Sequence, residues 1–179
     1  KLEDLAISLS FSSRLDSFSG SLRTLKKNQT IAFNLLRLAL TEPRFDAEPI
    51  ARIRGQIIAN IRRQSENPRR IARRTLFKKL FQDHPYGRPS NGTEDSVNVI
   101  KIADLKIFVE QRLARNNLVV SVIGDITEAD LKAQLDKTFG ALPAKAMPWE
   151  LAEITPDATK KTIVVDKAIP QSIITFAQP

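Results

Sequence analysis

The chain has no cysteine in 179 residues. That excludes disulfide bridges, thiol nucleophiles and cysteine-ligated metal centres together, and leaves the redox compartment open, since a chain without thiols tolerates either kind. Histidine occurs once, at His84. One imidazole excludes any centre that needs two, and a catalytic zinc ordinarily takes about three protein ligands. The six glycines are scattered. The nearest approach to a phosphate loop is "SVIGD" at 121–125, with a single glycine before a helical stretch, which is too little to cradle phosphates. No G-x-S-x-G is present. Aromatic residues make up 6% of the chain, with one Tyr and one Trp, and none alternate with the basic residues as a base-stacking platform requires. Long apolar runs are also missing: "LVVSVIG" at 118–124 falls far short of the roughly 20 residues that cross a bilayer, so no transmembrane segment is expected. No signal peptide is legible. The chain begins at Lys1 without an initiator Met, which reads as a fragment or a processed product.

The rest is ordinary for a soluble globular protein, 42% hydrophobic and 27% charged, and long enough for one good core or a little more. Formal net charge is +8. The excess is concentrated: Arg52 to Lys79 carries ten Arg or Lys against one acid, Glu66. Such a stretch reads as a solvated helix face, with attraction for nucleic acid, acidic peptide or anionic lipid as the alternative.

Periodicity supplies the elements. Ile7, Leu9 and Phe11 alternate with Ser8 and Ser10, the pattern of a half-buried strand; "SSRLDS" is a turn and "FSGSLRTL" a returning strand. "NQTIAFNLLRLALTEPRF" places Ile31, Leu35, Leu38 and Ala39 at helical spacing, and Pro43 ends it. A second helix is predicted from about Glu48 to Gln64, with Ile50, Ile53, Ile57 and Ile61 in a stripe and Asn60 partly buried at its edge. Gly55 in mid-helix suggests close packing there. Pro68 opens a third helix, with Ala72, Leu76, Phe77, Leu80 and Phe81 inward. "QDHPYGRPSNGTEDSV" is a loop. "IADLKIFVEQRL" is a fourth helix, with Leu105, Phe108, Val109 and Leu113 inward. "NNLVVSVIGD" is a strand buried on both faces. "TEADLKAQLDKTFG" is a fifth helix, with Thr127 and Asp130 resembling a capping box and Gly140 just past its end. "ALPAKAMPWELAEITPDATK" is a linker, and "KTIVVDKAIPQSIITFA" holds two strand-like runs around Pro170. Partial segregation of strands from helices predicts an α+β fold, a mostly antiparallel sheet with helices on one face.

Single residues carry little chemistry. His84, beside Pro85, reads as a loop side chain bonding locally. Asp125 reads as a turn residue or cap, and Trp149 as a packing anchor in the linker.

Together, "LALTEPRFD", "ENPRRIARRTLFKKLF", "HPYGRPSNGTEDSV", "IADLKIFVEQRLARNNLVVSVIGDIT" and "LDKTFGALP" resemble the insulinase or pitrilysin-type zinc metallopeptidases of the bacterial paired branch, over about residues 20–143. The resemblance implies an N-terminally truncated, insulinase-like domain over 1–143, a linker over 144–160, and at 161–179 the opening strand of a following homologous domain. In that family an inverted H-x-x-E-H motif and a distant glutamate hold zinc. This chain has no such motif. The resemblance places the distant glutamate at Asn60 and a supporting acid at Ile53, and neither residue here is acidic. An amide lacks carboxylate charge, and Ile has no atom to orient a ligand.

The resemblance therefore implies a catalytically inactive subunit or domain with no catalytic residue, metal ligand or cofactor of its own. It would form a heterodimer with a catalytic zinc peptidase, the zinc lying in that partner, and help build a chamber for peptide substrate. Alternatives are a structural or assembly protein related to the family, or a fragment of an active zinc protease. No nucleic-acid partner is expected. A periplasmic location is expected, with the cytoplasm as the alternative.

Overall fold

The structure is a computed structural model that describes residues 2–157 and 159–177. Its elements run β1 (Ser8–Ser13), β2 (Phe18–Arg23), α1 (Gln29–Thr41), α2 (Ala47–Glu66), α3 (Pro68–Phe81), α4 (Glu94–Val99), α5 (Ile102–Arg112) and α6 (Glu128–Phe139), with short 3-10 turns between. This is the α+β class, rich in helix with a two-stranded antiparallel sheet. The chain divides into two units, Lys1–Asp46 with Lys101–Trp149, and Ala47–Ile100 with Glu150–Pro179.

The first unit holds the hairpin. β1 and β2 pair from Ser8↔Arg23 to Ser13↔Phe18, and Arg14 N–H donates to the Ser17 carbonyl at 2.8 Å to close the turn. Phe11 faces Gly20 across the register, and its ring lies where a side chain would stand: a Cβ there would meet Phe11 at 3.1 Å. Phe11 stacks on Phe18 at 5.6 Å, and Phe18 meets Phe108 of α5 edge-on at 5.9 Å. Aromatic cross-strand pairs of this kind hold a short ribbon together where two strands alone are marginal. Ile7, Ala32 and Leu40 of α1, Thr138 of α6, Ala114 and Leu142 are buried. The buried line on α1 is thus Ala32 and Leu40, two turns apart, while the expected Ile31 is 46% exposed. Spacing identified the helix correctly but placed its inward face about one residue off.

α6 begins as expected. The Thr127 hydroxyl oxygen accepts the Asp130 N–H at 3.2 Å, but the Asp130 carboxylate bonds the Thr127 hydroxyl rather than returning to the backbone. Gly140 ends the helix in right-handed geometry, not the left-handed cap its position suggested. Trp149 is 63% exposed, with the Arg112 guanidinium 5.4 Å from its ring centre, so it caps a cation and anchors no core. Asp125 pairs with Lys26 at 2.8 Å on the surface.

The second unit holds α2, α3, α4 and the chain from 150 onward. Pro68 is the first residue of α3, and the Asn67 side chain accepts the Arg70 N–H at 3.2 Å, a local stop and start that the sequence carries by itself. α4 begins inside the span expected to be loop and runs two residues past its end. Its signal was present: Thr93 and Ser96 form a reciprocal capping box, with Glu94 and Asp95 in the first turn. Gly55 has open space around it, contrary to the close packing expected of it.

Two further expectations are corrected. Residues 118–124 are not a strand, and Val119 and Ile123 are 93% and 98% exposed, not buried on two faces. Residues 162–176 likewise form no strand, and Val164 and Ile174 are 84% and 86% exposed. Both carry strand-forming residues, but a strand exists only where a neighbouring backbone completes its ladder. Among the described residues no segment does so for either run.

Candidate functional site

The resemblance directs attention to α2, where seven residues separate Ile53 from Asn60. Seven residues are nearly two helical turns, so the two side chains share one stripe about 10 Å apart along the axis. Ile57 lies between them on the same face. Asn60 is half-buried, while Ile53 and Ile57 are 45% and 37% exposed. The helix forms because Glu48 and Pro49 open its first turn and its interior is rich in straight-chain and Ala positions.

Three polar contacts fix α2 within its unit. Arg62 donates from both Nε and Nη2 to Glu94 Oε2 at 3.0 and 2.7 Å. Arg54 donates to the Ile100 carbonyl at 2.5 Å, and Lys167 Nζ reaches Glu66 at 2.8 Å. The hydrogen bonds and charge of Arg62 hold Glu94 below the usual carboxylate range and raise Arg62 in turn. Lys167 lowers Glu66 in the same way. Glu66 and Glu94 are thus each tied to a cation.

His84 is committed elsewhere. Its Nδ1 accepts the Tyr86 N–H at 3.2 Å, which leaves the ring proton on Nε2, and Nε2 donates to the Ala152 carbonyl at 2.9 Å. Its ring stands edge-on to Tyr86 at 4.8 Å, and Tyr86 stands edge-on to Phe81 at 5.6 Å. Both nitrogens bond backbone, so the residue organises its loop, as its position beside Pro85 suggested.

The donor set does not fit zinc. Position 60 offers a neutral amide, position 53 a hydrocarbon, and the one imidazole is engaged at both nitrogens. Among the described residues no group of three or more His, Asp or Glu is placed to hold a metal ion. No reaction step is assigned to this stripe.

Sequence reading missed a clamp near the far end of α3. Asp157 pairs with Lys79 at 2.9 Å, and its backbone N–H donates to the Leu80 carbonyl at 2.9 Å. The Asp157 carboxylate also accepts the Thr159 hydroxyl and the Thr159 N–H, the latter at 3.1 Å. The bond from the Thr159 hydroxyl, then that from Lys79, hold this carboxyl far below its ordinary value. Asp-x-Thr is the local signature of such a turn; its pairing with Lys79 has no sequence signal.

Comparison with known proteins agrees with the resemblance. Residues 100–179 match the family model described as the peptidase M16 inactive domain. A curated relative, the non-peptidase homolog YmxG of Helicobacter pylori, is 26% identical over 179 residues, covering 99% of this chain and 41% of its own length. The crystal structure of a peptidase M16 inactive domain from Pseudomonas fluorescens superposes with a TM-score of 0.81 at 29% identity, over 88% of this chain and 39% of that one. A chain of Complex III2 from Candida albicans shares the fold, with a TM-score of 0.68 at 18% identity over 86% of this chain and 37% of that one. Residues 100–179 thus resemble the inactive domain of the M16 peptidases, and the chain spans about two-fifths of the length of the Helicobacter pylori and Pseudomonas fluorescens relatives.

Proposed function

We propose that the chain is part of a non-catalytic subunit or domain that joins a zinc-bearing M16 partner and helps enclose peptide substrate. The observation that carries this reading is the Ile53–Asn60 stripe: a well-formed helix, in a chain whose residues 100–179 match the inactive-domain model, with an amide and a hydrocarbon where the family resemblance places carboxylates. In this reading the zinc and the H-x-x-E-H motif belong to the partner, the pair is a heterodimer, and it works in the periplasm. Residues 161–179 then lead into a following homologous domain, which accounts for exposed strand-forming side chains such as Val164 and Ile174.

The test is to purify the full protein alone and with an M16 homologue carrying H-x-x-E-H. Alone it should contain no stoichiometric zinc by elemental analysis and cleave no peptide; together the two should form a complex that does. One tightly bound zinc per chain, lost on changing His84 or Asn60, would overturn the reading.

A second reading, an assembly component without peptidase partnership, draws on the fold shared with a chain of Complex III2. Recovery of the protein in a membrane complex free of any H-x-x-E-H homologue would favour it.

A further inference from the structure

Along α3, Arg70, Arg74 and Lys78 recur every four residues on an exposed side. Like charges at that spacing oppose helix formation, so their presence calls for a compensating partner. Other cations of this unit have one: Arg62 pairs with Glu94, Lys79 with Asp157 and Lys167 with Glu66. Among the described residues Arg74, Lys78 and Arg88 enter no ion pair. These three cations line one open cleft of about 280 Å³, with Asp83 as its single carboxylate.

The cleft is held in shape. α3 ends at Phe81 and is capped by Gln82, whose φ of 47° turns the chain sharply back. Gly87 then passes so close that a Cβ would stand 2.5 Å from the Gln82 carbonyl oxygen, an approach that only glycine allows. His84 ties the same loop to Tyr86 and Ala152 through both ring nitrogens. Arg88 is thereby carried on a braced loop beside Arg74 and Lys78.

We propose that this cleft binds an acidic stretch of polypeptide, its carboxylates taken by Arg74, Lys78 and Arg88. Charge complementarity selects an anion. Asp83 favours a polypeptide: its carboxylate can accept a backbone N–H lying beside the ligand's acidic side chains, a donor that a phosphate group does not carry. The nearby rings of Phe81, Tyr86 and His84 are packed edge-to-face on one another and offer bases no stacking platform. Arg69 and Arg73, with residues 172–175, line a second open groove of about 450 Å³, extending the cationic surface along the same helix. The inference does not rest on the non-catalytic reading and holds for either form of the function.

The test uses the full protein and a labelled peptide of alternating Glu and Gly, followed by fluorescence anisotropy at about 0.15 M salt, where remote exposed charges are screened. The expected result is saturable binding that the Gln-for-Glu peptide does not reproduce, and that weakens by about thirtyfold in the R74Q/K78Q/R88Q variant, three losses of about threefold compounded. A control variant with the same charge, K132Q/K137Q/K145Q, should change affinity by less than about twofold. If the triple variant loses structure by circular dichroism, R88Q alone serves, with a loss of about threefold expected. Absence of binding would overturn the proposal. So would equal losses in cleft and control variants, or tighter binding of a single-stranded thymidine oligomer or an anionic lipid vesicle through the same three residues.

Discussion

Asn60 carries the functional reading, and its surroundings decide what a substitution there would do. A charge placed among apolar side chains is costly when nothing compensates it, which predicts from sequence that Asn60→Glu is destabilising. The structure reduces the expected cost, because Ile53 and Ile57 on the same stripe are 45% and 37% exposed. Asn60→Glu should therefore lower stability by less than about 1 kcal/mol in urea unfolding. It should also bind no zinc by elemental analysis, since one carboxylate does not supply the missing imidazoles. Stoichiometric zinc in that variant would refute the assignment of the stripe. The assignment of position 60 came from the family resemblance. Its partial burial at the edge of the stripe was legible too; the exposure of Ile53 and Ile57 was not, because that depends on chain far away in sequence.

At the scale of elements, the helices were legible wherever the signals were local. α2 was expected from about Glu48 to Gln64 and runs Ala47–Glu66; α3 starts at Pro68 behind an Asn67 cap. α4 was missed because six residues give periodicity too little length to register, although its caps were visible. Those caps should matter in proportion. Thr93→Ala removes the oxygen that accepts the Ser96 N–H and should cost about 1 kcal/mol by chemical denaturation. Thr93→Ser keeps that oxygen and should restore most of the loss; equal losses in both variants would remove the capping account. The two misread strands failed for the opposite reason. "LVVSVIG" and "TIVVDKAIPQSIITF" have strand composition, but strand pairing is a property of two segments.

At the scale of the whole molecule, two consequences can be measured. The first is acid sensitivity. Asp157 has a folded-state value held far below the ordinary one, first by the Thr159 hydroxyl and then by Lys79; Glu66 and Glu94 are lowered by Lys167 and Arg62. A depressed carboxyl contributes stability that is complete above its unfolded value, about 4, and is lost as pH falls below it. The midpoint of thermal unfolding should therefore fall as pH drops through 4 and below, and Asp157→Asn should flatten that fall. An unchanged slope in the variant would remove Asp157 from the account. The second consequence is exchange. The backbone amides of 118–124 and 162–176 lack ladder partners among the described residues and should exchange with solvent hydrogen faster than those of α1 and α6. Protection of either run comparable to α1 in the isolated chain would show a pairing absent from this structure.

The sequence by itself determined the five longer helices, the hairpin turn, the opening of α3 at Pro68, the cap at Thr127, the lack of thiols and of an H-x-x-E-H motif, and the likeness to the M16 inactive domain. These depend on residues within a few positions of one another, or on identity alone. Helical hydrogen bonds and caps close over three or four residues, so composition and spacing suffice to place them. Only the tertiary structure decided that Ala32 and Leu40, not Ile31, face inward on α1, that Lys79 meets Asp157, and that Arg74, Lys78 and Arg88 share one cleft. Each of these joins groups from separate parts of the chain or measures what covers a surface. Burial and charge pairing act through space, and distance along the chain does not report them.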